Sequence, residues 1–128
     1  MSSANTPTLS LYERLGGKAA IDASVDLFYE KVLGDDLLRP FFDDVDMRVQ
    51  KGKQRAFLAF AFGGPANYTG EDLRAGHAHL VQRGLSEAHF RAVAVHLSTT
   101  LADLGVPPAL IAEVMNIAAS THDDVLGL

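Results

Sequence analysis

Five side chains of this 128-residue sequence, Tyr29, Gln50, Lys53, Gln54 and His77, are of types that chemistry can use, and their spacing turns them toward apolar faces. The run Phe57, Leu58 and Ala61 marks one face of a helix. Read backward at helical spacing, the same face carries Gln54, Lys53, Gln50 and Met47. Two amides and an ammonium facing inward would each cost roughly 1–3 kcal/mol if left unpaired. Such a face either borders a polar partner or turns outward at its amino end. His77 lies four residues after Leu73 and three before Leu80, which points it inward as well, whereas His79 faces away. Tyr29 puts a third polar tip on an inward stripe beside Phe28, and Phe41, Phe42, Phe57, Phe60, Phe62 and Phe90 accompany it. A lone inward histidine is ordinarily a hydrogen-bonded core residue. A histidine facing amides, a tyrosine and many aromatics also suits a flat apolar cofactor carrying a reactive metal.

Other chemistries find little support. The chain has no cysteine, so disulfides, thiolate metal sites and thioether attachment are out, and any metal needs His, carboxylate or a rarer ligand. The histidines, at 77, 79, 89, 96 and 122, form no HExxH and no i, i+4 pair. His89 and His96 read as solvated or helix-packing residues. No two carboxylates share an inward face at hydrolase spacing, no nucleophile elbow appears, and no glycine pair leads from a strand into a helix as a phosphate loop would. A formal net charge of −5, with scattered basic residues, argues against a nucleic-acid binder. Hydrophobic residues reach 48%, but no apolar run is long enough to span a bilayer, so no membrane partner is expected. The first ten residues lack the basic start and apolar stretch of a secretory signal, and cytoplasm is the expected location.

The elements that must position these residues are helices. Residues 18–33 carry Ile21, Val25, Phe28, Tyr29 and Val32 in an i, i+4, i+7, i+8 stripe. A short piece comes next, with Leu37, Leu38 and Phe41-Phe42. Asp46 suits the N-cap of a helix running to about residue 62. Residues 72–82 make a shorter helix, Ser86 caps a long one through Leu104, and Pro108 sits in the first turn of another that reaches Val125. Period-two alternation is missing. The expected fold is all-α: a loose tail over residues 1–10, then a single domain over 11–128.

Against that pattern a resemblance stands out. LYERLGG (11–17), LFYEKVLGDDLLRPFF (27–42), QKGKQRAFLAFAFGGPANYTG (50–70), RAGHAHLVQRGLSEAHF (74–90) and GVPPALIAEV (105–114) resemble the group I truncated haemoglobins. The similarity covers nearly the whole chain. It implies a truncated two-over-two helical sandwich around one haem b (iron protoporphyrin IX), with Gly16-Gly17 and Gly63-Gly64 matching the family's glycine motifs. It also implies His77 as proximal iron ligand, Phe42 as the aromatic packed on the haem, and Tyr29, Gln50 and Gln54 as the groups that hydrogen-bond a bound ligand. Arg74, one turn before His77, is placed to reach a haem propionate, or else to serve as an ordinary surface arginine. Lys53 has two readings: its chain snorkels toward water or a propionate, or its neutral amine takes the distal iron position. His122 falls within about a residue of a position where certain relatives bond a histidine to a haem vinyl, but a surface histidine is the leading reading for it.

The function so implied is binding of dioxygen, nitric oxide and other diatomic haem ligands, with nitric oxide dioxygenase activity, dioxygen plus nitric oxide giving nitrate. An external reductase or electron donor would restore the ferrous iron, and a monomer is expected. A non-enzymatic carrier or sensor, or an electron-transfer haem protein, are the alternatives.

Overall fold

The computed structural model describes residues 10–62 and 70–128, the side chains of residues 60, 61 and 70–73 excepted. The amino-terminal tail (1–9) and Gly63-Gly64 therefore lie outside the described residues, as do the side chains of Phe60 and Leu73. In chain order the elements are α1 (Leu11–Leu15), α2 (Gly17–Leu33), a 3₁₀ turn (Arg39–Phe42), α3 (Met47–Ala61), α4 (Gly70–Gln82), α5 (Glu87–Asp103), α6 (Pro108–Ser120) and α7 (His122–Leu126). Among the described residues there is no strand. The pair α2–α3 packs on the pair α5–α6 through α2 and α5, while α4 packs against α7.

The helices begin where side chains can satisfy their first amides. Ser10 Oγ accepts from Glu13 N at 3.2 Å, and Asp46 Oδ1 accepts from Arg48 N at 3.0 Å. Gly16, between α1 and α2, has φ +115°, and a Cβ there would stand 3.0 Å from that of Ala20; only glycine fits the bend. The expected stripe of α2 is buried throughout, with Val25 and Val32 wholly inside, alongside Leu38 and Val114.

Two polar clamps fix the walls of the interior space between the helix pairs. On the flank of α2 and α3, Lys51 pairs with Asp26 at 3.3 Å and Arg55 with Asp22 at 3.0 Å. Exposed pairs contribute little singly, about 0–1 kcal/mol, but four charges across one seam set its register. At the end of α2, His96 Nε2 meets Asp35 Oδ2 at 2.7 Å, while Leu37 N donates to Asp35 Oδ1 at 2.9 Å. The His96 bond, then the Leu37 amide, hold the Asp35 carboxyl below the usual carboxylate range. This pins the turn bearing Phe41 and Phe42 onto α5.

One expected helix is in fact two. Ser120 Oγ donates to Ile117 O and Thr121 Oγ1 to Ala118 O at 2.7 Å, so the last carbonyls of α6 are met by hydroxyls and the helix stops. His122 then opens α7. It is bound by Asp123 at 2.9 Å and Glu87 at 2.5 Å, its ring set edge-on to Phe90 at 5.0 Å. Those carboxylates, Asp123 first, raise its pKa, and the His122 bond lowers that of Glu87. The α5–α7 tie is therefore whole between the two titrations. It weakens as pH rises through the raised histidine pKa, or falls through the depressed carboxylate one.

Candidate functional site

Two cavities abut in the space between the helix pairs. The larger, about 400 Å³, is walled by α2, the 3₁₀ turn, α3 and α4. The other, about 160 Å³, runs on toward α5, α6 and α7. Phe42, Gln54, Phe57 and His77 line both, so the two form one mainly apolar chamber divided by side chains. Its size falls in the range of cofactor sites, about 300–1,000 Å³.

The structure brings five of the expected distal and aromatic residues to the larger cavity: Tyr29 from α2, Phe42 from the 3₁₀ turn, and Gln50, Lys53 and Gln54 from α3. His77 joins them from α4, half-buried. Tyr29 is 3% exposed, with its ring edge-on to Phe28 at 5.0 Å and to Phe42 at 5.8 Å. Gln50 Nε2 donates to the Tyr29 hydroxyl oxygen at 3.1 Å. The phenol thus spends an acceptor site on Gln50 and keeps its O–H to donate elsewhere. Burial raises the Tyr29 pKa and outweighs the Gln50 bond, so the phenol stays a neutral donor at physiological pH.

Gln54 is half-buried, and among the described residues its amide has no hydrogen-bond partner. Lys53 lies at the exposed rim and, among the described residues, is the one Lys or Arg with neither an ion pair nor a hydrogen bond. Uncommitted donors around a mainly apolar chamber are what a polar-centred ligand would require.

Two placements differ from the sequence reading. Arg74 does not line the chamber: its guanidinium bonds Asp124 Oδ1 and Leu128 O, both at 3.0 Å, and ties α4 to α7. That is the surface-arginine alternative, arising because α7 folds back on α4. His79, expected to face away, stands at the rim of the larger cavity, because the lining arc of α4 is wide enough to take in residues 76, 77, 79 and 80. Thr121 lines the second cavity, while His122, read chiefly as a surface residue, turns to Glu87 at the break after α6.

The bacterial-like globin family model matches residues 10–126. The chain belongs to the group 1 truncated haemoglobins. This truncated haemoglobin is 50% identical over 119 residues to group 1 truncated hemoglobin LI410 of Chlamydomonas moewusii, covering 93% of this chain and 69% of that one. It is 51% identical over 112 residues to the group 1 truncated hemoglobin GlbN of Synechocystis, covering 87% and 90%. Among solved structures, the 2/2 hemoglobin of Synechococcus sp. PCC 7002, in the cyanomet state with covalently attached heme, superposes with a TM-score of 0.89. That pair is 44% identical, over 94% of this chain and 100% of the other. The two-over-two globin fold is thereby established, and with it haem-based binding of diatomic ligands.

The residues present fit a haem. The His77 imidazole borders both cavities of a mainly apolar chamber of cofactor size, aromatics flank it, and the Gln54 amide, unpaired among the described residues, and the Tyr29 hydroxyl supply polar contacts. Of the described histidines, His77 alone lines both cavities, which makes it the candidate to hold the iron. His89, read from spacing as a solvated or helix-packing residue, instead lines the second cavity from the first turn of α5. Its signal in the sequence was the spacing Ser86-x-x-His89, a capping box with histidine where glutamate is usual.

Proposed function

We propose that this truncated haemoglobin is a nitric oxide dioxygenase with haem b as its cofactor, converting dioxygen and nitric oxide to nitrate. The observation that carries the reading is the Tyr29 hydroxyl at the chamber wall, its oxygen met by Gln50 so that its own proton remains to be donated. Haem, when bound, supplies an iron that takes a diatomic gas and shifts negative charge onto it. Tyr29 donates to that charge, Gln50 holds the phenol in place, and Gln54 offers a second donor. Hydrogen bonds to a charged acceptor contribute roughly 1.5–3 kcal/mol each. Such bonds slow the release of oxygen, which suits retention until a second gas arrives better than it suits delivery. Phe42 and Phe57 keep the chamber apolar, where these bonds count most. The reading requires an external reductase or electron donor, and it treats the protein as a cytoplasmic monomer.

The test is rapid mixing of the oxygenated protein with nitric oxide. Stoichiometric nitrate within milliseconds, and sustained turnover once a reductase is added, are expected. Slow turnover with reductant in excess would instead make the protein a carrier or sensor.

Lys53 completes the site in this reading as the distal iron ligand when no gas is present. Its support is that this cation alone has no partner among the described residues, beside Gln50 and Gln54. With no partner to leave, the chain swings inward freely. A lysine binds metal only as the neutral amine, so ligation is lost as pH falls. The ferric spectrum should be low-spin in the wild type and high-spin in Lys53→Ala at neutral pH. Identical water-bound spectra would leave Lys53 at the rim.

A further inference from the structure

His89 takes no part in the proposed chemistry, yet it is held on the chamber wall. It sits at the third residue of α5, half-buried beside the second cavity. Its Nδ1 accepts from Ser86 N at 2.9 Å, with Ser86 Oγ at 3.1 Å. An imidazole nitrogen that accepts from a backbone amide carries no proton, so the ring's proton is on Nε2. The cap thus fixes the tautomer as well as the direction of the ring. Phe41 fixes its tilt, edge-on with ring centroids 4.9 Å apart. Among the described residues Nε2–H has no acceptor. The edge that bears it is turned away from Ser86, on a residue that lines the second cavity.

The surroundings favour an anion. Arg83 lies over the same Phe41, 5.4 Å from the ring centroid, and its guanidinium is held there by a 2.9 Å bond to Pro40 O. The nearest carboxylate along α5, Glu87, is committed to His122 and Arg91. A directed N–H donor on the chamber wall, with a cation fixed on the same Phe41 ring, matches the one anionic part of haem b, its propionate carboxylates.

We propose that His89 is a positioning residue for the cofactor, donating from Nε2 to a haem propionate while its Nδ1 caps α5. The arrangement joins cofactor retention to the start of α5, the helix that also carries Phe90 and Val93 into the chamber. The inference rests on the haem reading, and the two fail differently: a wild-type protein that takes up no haem ends both, whereas substitutions at position 89 bear on His89 alone.

The experiment follows haem loss from the holoprotein to an excess of apomyoglobin. His89→Phe should lose haem about tenfold faster than wild type, in keeping with one lost charge-assisted hydrogen bond. His89→Gln keeps an acceptor for Ser86 and an N–H to offer, and should stay near wild type. If His89→Phe does not fold, His89→Asn, too short to reach the propionate, carries the same comparison. Both proteins are then loaded with haem whose propionates are methyl esters. The wild type and the Phe or Asn variant should now lose it at equal rates. A difference that survives esterification would show a packing role and overturn the proposal. So would unchanged loss of ordinary haem from the variant.

Discussion

His77→Ala is expected to lose tight haem binding altogether, with the cofactor returning only when imidazole is added. The chamber contains a second wall histidine, His89, but its Nδ1 is tied to Ser86 and its ring to Phe41, so it cannot swing to take the place of His77. The distal amides and the Tyr29 phenol are poor iron ligands. The remaining apolar walls would still favour a flat hydrophobic molecule, but without a bond to the metal the holoprotein should lose haem readily. Free imidazole fits the space left by the side chain and should restore a spectrum close to wild type. His79→Ala serves as the comparison. Its ring is at the exposed rim, and that variant should keep its haem. Titration of each apoprotein with hemin, followed by absorption, gives the result. Normal haem retention and an unchanged spectrum in His77→Ala would remove His77 from the iron.

What could be read ahead of the structure was whatever helical phase controls. Asp46 and Ser86 announced the starts of α3 and α5, because few residues can meet a free helical amide. The stripe of α2 carried Tyr29 inward, and the backward extension of α3 from Phe57 brought Gln50 and Gln54 to the same chamber. Lys53 obeys the same phase, yet its length carries the amine to the rim, which phase alone does not encode.

The failures arose where phase gives way to local bonding. The stretch from Pro108 to Val125 is continuous in its apolar pattern, but two hydroxyls at 120 and 121 cap the carbonyls of α6 and end it. Everything beyond turns with that break. His122 turns to Glu87, Thr121 lines the chamber wall, and Asp124 becomes available to Arg74. His79 went astray for a different reason. A helix that lines a wide opening exposes more than one stripe to it, so two residues of different phase can both border the same cavity. His89 read from spacing as a solvated or helix-packing residue; the setting of its ring depends on a neighbour three positions away, which spacing does not show.

Tyr29→Phe should raise the oxygen dissociation rate tenfold or more, equivalent to at least ~1.4 kcal/mol of lost stabilisation. The substitution removes one oxygen from a residue that is 3% exposed and held edge-on by Phe28 and Phe42, so the ring should stay in place and the effect belongs to the hydroxyl. It also leaves Gln50 Nε2 without its acceptor. An amide freed in this way can turn toward the ligand and recover part of what was lost. Gln50→Leu alone should therefore cost less than Tyr29→Phe, and adding it to Tyr29→Phe should change the rate by a different factor than it does in the wild type, because the residues form one network. The pH dependence gives an independent check. Burial raises the Tyr29 pKa, so the phenol keeps its proton, and the oxygen dissociation rate should be flat from neutral pH well into the alkaline range. Were the phenol ionised there, the donor would be gone and the wild-type rate would climb to that of the variant. Stopped-flow displacement of oxygen by carbon monoxide measures all four proteins. Equal rates in wild type and Tyr29→Phe would mean that the hydroxyl proton points elsewhere, and the retention argument for the dioxygenase would lose its main support.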